Sequence, residues 1–180
     1  MSILKPKAGT LAMGVSLFAL AACEEPKVEA ALYETVQQCI DNGSTTPEQC
    51  EANFKEAQSQ HVAVSPKYAS REDCQADFGA GKCERAPFQT TTGGSVFMPL
   101  MAGYMMGSFL GGRRSMAPQP LYRAASSPNT FRTADNRSAG ATTGRTQVAR
   151  SATTRPSVKT ATRSRGGFGS GGRRFGSGAT

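Results

Sequence analysis

The chain has no tryptophan, one histidine and no Cys-x-x-Cys pair. A lone His61 excludes a multi-histidine metal set, and the missing Cys-x-x-Cys removes a thioredoxin-like site or a zinc ribbon. Acidic residues almost vanish from the second half. From Thr91 onward Asp135 stands alone against 13 basic residues, 12 of them arginine. Between Glu24 and Thr90 the balance reverses, with 12 acidic residues to 6 basic. The net charge of +8 therefore conceals two oppositely charged halves. A length of 180 residues suits one domain with extensions. These counts predict a small acidic folded head and a basic tail. They offer no catalytic set, no metal site and no cofactor motif.

What is present begins with Lys5 and Lys7, ahead of the uncharged and mostly apolar run Gly9–Ala22. That run is shorter than the roughly 20 residues a bilayer span needs, and it suits the core of a secretory signal. It ends in Leu20-Ala21-Ala22-Cys23, which resembles the lipobox of bacterial lipoproteins. The resemblance implies a signal peptide over residues 1–22, a diacylglycerol on the Cys23 thiol and an acyl chain on its new amino group. Several chains anchor a protein stably where one alone is marginal. Glu24 rather than aspartate follows the cysteine, which resembles the outer-membrane sorting pattern. The expected location is the outer membrane, facing the periplasm, with residues 23–27 as a tether.

Removing Cys23 leaves Cys39, Cys50, Cys74 and Cys83, which in an oxidising compartment read as two disulfides with three possible connectivities. Val28, Leu32, Val36, Cys39 and Ile40 recur at helical spacing, and Asn42-Gly43 supplies a stop. Thr46-Pro47-Glu48-Gln49 reads as an N-cap, a first-turn proline and a capping glutamine. The helix it opens sets Cys50, Phe54, Ala57 and His61 on one face. A hairpin of these two helices favours a Cys39–Cys50 bridge. Ser70-Arg71-Glu72-Asp73 opens a third helix through Cys74 and Phe78, closed by Gly79 and Gly81, and favours Cys74–Cys83. The expectation is a mainly α fold: an acidic, disulfide-stapled helical domain over 28–90, built as a helical hairpin plus a short third helix. A head this small needs such staples. His61 has no partner carboxylate at a telling spacing and reads as a surface or helix-end residue. Glu48, Glu51, Lys55 and Glu56 read as an exposed helical surface.

Residues 94–112 form an apolar segment rich in glycine and methionine. Gly103, Gly107 and Gly111 are spaced by four, so on a helix they line one face, as in closely packed membrane helices. The 16 residues from Ser95 to Leu110 fall short of a span. The segment is expected to pack on the head or on a partner, with Pro99, Gly103, Tyr104, Gly107 and Gly111 as its interaction residues. Membrane insertion and self-association through the three glycines are its rival readings. Over 113–180 Ala, Ser, Thr, Gly and Arg dominate, with prolines at 118, 120, 128 and 156, and the composition predicts a long disordered basic tail. Arg165-Gly166-Gly167-Phe168-Gly169 and Gly172-Arg173-Arg174-Phe175-Gly176 look like RNA-binding RGG boxes. Export argues against nucleic acid, leaving lipid or lipopolysaccharide phosphates as anionic partners for the arginines.

Pro66-Lys67-Tyr68-Ala69-Ser70-Arg71-Glu72-Asp73-Cys74 and Phe78-Gly79-Ala80-Gly81-Lys82-Cys83 together resemble the YgiB family of Gram-negative lipoproteins. So does Phe97-Met98-Pro99-Leu100-Met101-Ala102-Gly103-Tyr104-Met105-Met106-Gly107 and, more loosely, Arg165-Gly166-Gly167-Phe168-Gly169. The resemblance implies a compartment and an architecture, and no activity. Its members are often encoded near an ATP-grasp enzyme similar to glutathionylspermidine synthase. The functional expectation is a non-enzymatic, lipid-anchored envelope protein with a structural or interaction role. The alternatives are a glycine-zipper oligomerising or membrane-perturbing protein, and an accessory subunit of that ATP-grasp pathway.

Overall fold

A computed structural model describes residues 25–107, 116–163 and 168. Strand β1 (Lys27–Tyr33) leads into helices α1 (Val36–Asn42), α2 (Pro47–Val64) and α3 (Arg71–Phe78). Strands β2 (Cys83–Gln89), β3 (Ser95–Pro99) and β4 (Gly103–Gly107) follow. The second half supplies β5 (Gln119–Ala124), β6 (Ser127–Thr133), β7 (Ser138–Gly140), β8 (Gly144–Ala149) and a 3-10 turn, Arg150–Thr153. Six strands join in the order β7-β6-β5-β4-β1-β8, each neighbouring pair antiparallel. The outer strands β7 and β8 come side by side, so the sheet is nearly closed into a small barrel.

Alternation along each strand sorts its side chains between two cores. Leu32, Met105, Leu121, Phe131, Ala139 and Val148 fill the barrel, one from each of its strands. The residues between them face outward: Tyr33, Tyr104 and Met106 pack against Cys39, Cys50 and Ala57 of α1 and α2. Tyr122 and Ala124 of β5 pack against Val64, Tyr68 and Phe78, with Phe168 completing that layer. The hairpin of β2 and β3 forms a separate two-stranded sheet beside α3, tied back through mutual Tyr68–Phe97 backbone hydrogen bonds. Strand β4 is buried on both faces, which accounts for its apolar Gly103-Tyr104-Met105-Met106-Gly107 run.

The local signals read in the sequence hold at the helix ends. Thr46 and Ser70 cap α2 and α3 by accepting from the Gln49 and Asp73 amides, and Pro47 occupies the first turn of α2. Gly43 ends α1 in the left-handed conformation at φ 66°. Both expected disulfides are present, Cys39–Cys50 and Cys74–Cys83.

The mainly α expectation is wrong. Val28 and Leu32 lie on a strand, and the helix begins only at Val36. A spacing of four returns to the same face of a strand as well as of a helix, so the pattern could not separate them. The tail expected to be disordered contributes β5 to β8, four of the six barrel strands. The described part of the segment 94–112, residues 94–107, is not a helix either, for it contains β3, a turn and β4. Nor are 28–90 and 113–180 independent bodies, because β1 lies hydrogen-bonded between β4 and β8. Acidic and basic halves close one barrel.

Candidate functional site

The barrel has two different ends. At one, β1 begins at Lys27 opposite Ala149, where β8 finishes. At the other, β1 finishes at Tyr33, β4 begins at Gly103 and β5 finishes at Ala124. A cleft of about 430 Å³ opens at this second end. Its size falls within the range of small-ligand sites, about 300–1,000 Å³. Four parts of the chain form it: Glu34 just after β1, Phe78 and Lys82 flanking the end of α3, Leu100, Met101 and Ala102 of the β3–β4 turn, and Arg123, Ala124 and Ala125 with Pro128 from the β5–β6 hairpin. Leu100 is 41% exposed, one of two large apolar side chains left open among the described residues.

Arg123 organises the mouth. It pairs across the sheet with Phe131, and its guanidinium stands 4.1 Å from that ring's centroid. One guanidinium nitrogen donates to Glu34 Oε1 at 2.7 Å, joining the end of β5 to the residue that follows β1. The Arg123 Nε is buried without a hydrogen-bond partner. Both side chains of the ion pair are about a third exposed, so its worth is about 1 kcal/mol or less. Its consequence is positional, since it fixes a cation and a carboxylate at the lip of an apolar recess. Among the described residues, the lining holds no hydroxyl, thiol or imidazole. Such a site is equipped for recognition.

The chemistry-bearing side chains gather elsewhere and deeper. His61, in the last turn of α2, is buried; its Nδ1 lies 2.9 Å from Tyr122 Oη and its Nε2 lies 3.2 Å from Glu84 Oε1. Burial lowers the His61 pKa more than the Glu84 hydrogen bond and charge raise it. The neutral ring then donates from Nε2 to Glu84 and accepts the Tyr122 hydroxyl at Nδ1. Burial pushes Tyr122 well above the ordinary tyrosine range, with the Glu84 charge adding to the effect. Nearby, Tyr68 Oη donates to Asp77 Oδ2 at 2.8 Å, and burial together with that bond raises its pKa far beyond the usual value. The Lys67 ammonium donates to the Ala63 and Ser65 carbonyls and faces the Phe88 ring at 5.4 Å. Burial, then Lys159, lowers its pKa. These contacts tie α2 to β5, to β2 and to the α2–α3 connection. They are struts of the interior.

Of the interaction residues named from sequence, Pro99, Gly103, Tyr104 and Gly107 are all buried. Gly103 sits so close to β1 that a Cβ there would stand 2.5 Å from the Tyr33 carbonyl oxygen. Tyr104 packs between Tyr33 and Phe54, its hydroxyl buried without a partner, and burial pushes its pKa up to about 12. Gly111 and Cys23 lie outside the described residues, as do Arg165, Arg173 and Arg174. Phe168, read as part of an RGG box, is instead 3% exposed, with its ring centroid 4.7 Å from that of Phe78. His61 is at a helix end as expected, but it is not on the surface. Its partners stand 23 and 61 residues away on other elements, a separation that leaves no spacing signal. The turn Leu100–Ala102 is what the apolar segment contributes to the cleft.

Among the described residues, no group of three or more His, Cys, Asp or Glu side chains is arranged to hold a metal ion. No described helix is long and apolar enough to cross a membrane. A family model described as "Protein of unknown function (DUF1190)" matches residues 27–177, which takes in every strand of the barrel. The chain is 41% identical over 175 residues to the UPF0441 protein of Erwinia tasmaniensis, covering 88% of this chain and 78% of that one. Coverage is the same for the UPF0441 protein SG0265 of Sodalis glossinidius, at 40% over 169 residues, and for that of Yersinia pestis bv. Antiqua, at 39% over 181. No solved structure matches. With a family model spanning most of its length and relatives of this identity, the chain belongs to the DUF1190/UPF0441 family of Gram-negative bacteria.

Proposed function

We propose that this chain is a YgiB-type lipoprotein, acylated at Cys23, anchored in the outer membrane and facing the periplasm, whose work is binding rather than catalysis. One observation carries the reading: Leu20-Ala21-Ala22-Cys23 stands only four residues ahead of Lys27, where the barrel begins. Four residues reach at most about 14 Å, so an acylated Cys23 holds the first end of the barrel against the bilayer. The cleft lies at the opposite end and opens away from the lipid. Two buried disulfides suit an oxidising compartment. The interior location of His61 and Tyr122 supports a binding role, because neither of these side chains lines the cleft.

Metabolic labelling with an alkyne-tagged palmitate, followed by membrane fractionation, tests the anchor. Label is expected on the native chain in the outer-membrane fraction and absent from Cys23→Ala. Equal labelling of the two chains sinks the anchor. A photocrosslinking residue at position 100 tests the cleft against position 104 as the buried control. Adducts confined to position 100 are expected, and equal yields at both positions count against the cleft as a binding face.

A further inference from the structure

A second charged feature, outside the cleft, lies at the end where β1 begins. Four separate stretches bring an exposed cation there. Lys27 opens β1, and Arg137 lies in the β6–β7 turn, close enough for its charge to act on Glu25. Arg150 begins the 3-10 turn, its amide bonded to the Pro26 carbonyl. Arg155 falls between that turn and Ser157, which is hydrogen-bonded to Asp135 of the β6–β7 turn.

Among the described residues, the carboxylates at this end are Glu25, Asp135 and, two residues along β1, Glu29. Glu25 is engaged by the amide and hydroxyl of Ser151, which lower its pKa. Asp135 is bridged by Lys159 and Ser157; their hydrogen bonds outweigh the effect of burial and hold its pKa low. Among the described residues, counting Lys159, five cations face three carboxylates, a net charge of +2 on a face whose diameter is that of a small barrel. The chain segments involved are far apart in sequence. Only closure of the barrel collects them.

We propose that this end is a docking face for anionic phospholipid headgroups. Lys27, Arg137, Arg150 and Arg155 contact lipid phosphates and hold the barrel upright, with the cleft pointing away. The proposal builds on the anchor at Cys23, since that anchor brings this end within a tether's length of the surface. It differs from the sequence expectation in assigning lipid contact to this end of the barrel rather than to the tail arginines Arg165, Arg173 and Arg174. Guanidinium groups suit the task because each presents a fork of donors to a phosphate. Each basic residue near such a surface strengthens binding by about fivefold, so a net charge of +2 predicts binding roughly 25-fold tighter than that of a neutral face.

The test is cosedimentation with vesicles, using the unacylated chain from residue 24 onward, which contains every described residue. Vesicles of pure phosphatidylcholine are compared with vesicles containing about one-third phosphatidylglycerol. Binding to the anionic vesicles is expected to weaken with added salt and to fall roughly 600-fold in K27Q/R137Q/R150Q/R155Q, four charges at about fivefold each. Because all four side chains are exposed, the variant should keep the native circular dichroism and melting temperature. R165Q/R173Q/R174Q is expected to retain most of the binding. The proposal is overturned if the first variant binds like the parent, if the second abolishes binding, or if both vesicle types bind equally. Acyl labelling of Cys23 is read separately in cells, so a missing anchor and a missing lipid face give different results.

Discussion

Phe131→Ala is the sharpest test of whether the arginine-rich second half is folded. Phe131 is fully buried inside the barrel, in one cluster with Leu32, Met105, Leu121 and Val148. Truncating a buried phenylalanine to alanine costs about 3–5 kcal/mol, from lost apolar contact and the cavity left behind. The ring also carries the Arg123 guanidinium, a contact worth about 0.5–1 kcal/mol at a partly exposed site. A combined loss near 4 kcal/mol is a large share of the 5–15 kcal/mol that holds a typical domain together. For a domain of this size it corresponds to a fall in melting temperature of roughly 10–20 °C. The assay is thermal unfolding followed by circular dichroism with both disulfides intact, supported by the urea midpoint. Phe131→Leu should lose much less, because it keeps most of the volume. If Phe131→Ala melts within about 2 °C of the parent, this side chain sits in no core and the barrel is refuted.

His61 predicts a dependence on acid. Its pKa is lowered in the folded protein, while the unfolded chain titrates near the ordinary value of about 6.5. Between the two the unfolded state binds more protons, so stability falls as pH drops below about 6.5, by at most about 1.4 kcal/mol per unit. Urea midpoints at pH 7.5 and 5.5 should therefore differ more for the parent than for His61→Gln, and matching differences would discount the buried imidazole. Gly103→Ala drives a methyl group toward the Tyr33 carbonyl oxygen, which is held in the sheet. It should cost about 1–3 kcal/mol in a chemical melt, and an unchanged midpoint would mean that β1 and β4 are not so closely apposed. Tyr104→Phe removes a buried hydroxyl that has no partner. It should be neutral or stabilising by up to about 1 kcal/mol, whereas a clear loss of stability in the same melt would reveal a partner for that hydroxyl.

Whatever depended on neighbours in the chain was legible. Thr46 with Pro47 and Ser70 with Asp73 are caps that need only a few adjacent residues, and Gly43 needs only its own freedom at positive φ. The disulfides followed because each joins residues 11 or 9 apart across one turn or one short connection. The strand partners of β1 did not follow. Ala30 faces Gly107 on one side and Thr146 on the other, and no local signal anticipates contacts of that range. The same holds for the cleft, which is assembled from Glu34, Lys82, Leu100 and Arg123 only once the barrel has closed.

Two readings of period explain the wrong fold class. Val28 and Leu32, like Gly103 and Gly107, are four apart, and four is close to a helical turn while also being twice the strand repeat. The deciding residues lie between them. Ala30 and Met105 share a face with their neighbours at two-residue spacing, as a strand requires and a helix forbids. The tail misled through composition for a related reason. A strand of a narrow barrel needs as little as one apolar inward residue, and β6, β7 and β8 supply Phe131, Ala139 and Val148 while their outward positions stay largely polar. Apolar content averaged over such strands falls to the level of an unfolded segment, although each inward position is filled. The barrel borrows the rest of its core from β1 and β4. A charge boundary at Thr91 therefore marks no boundary in the fold, because the acidic half carries β1 and the helices that cover it, and the basic half carries the strands on either side.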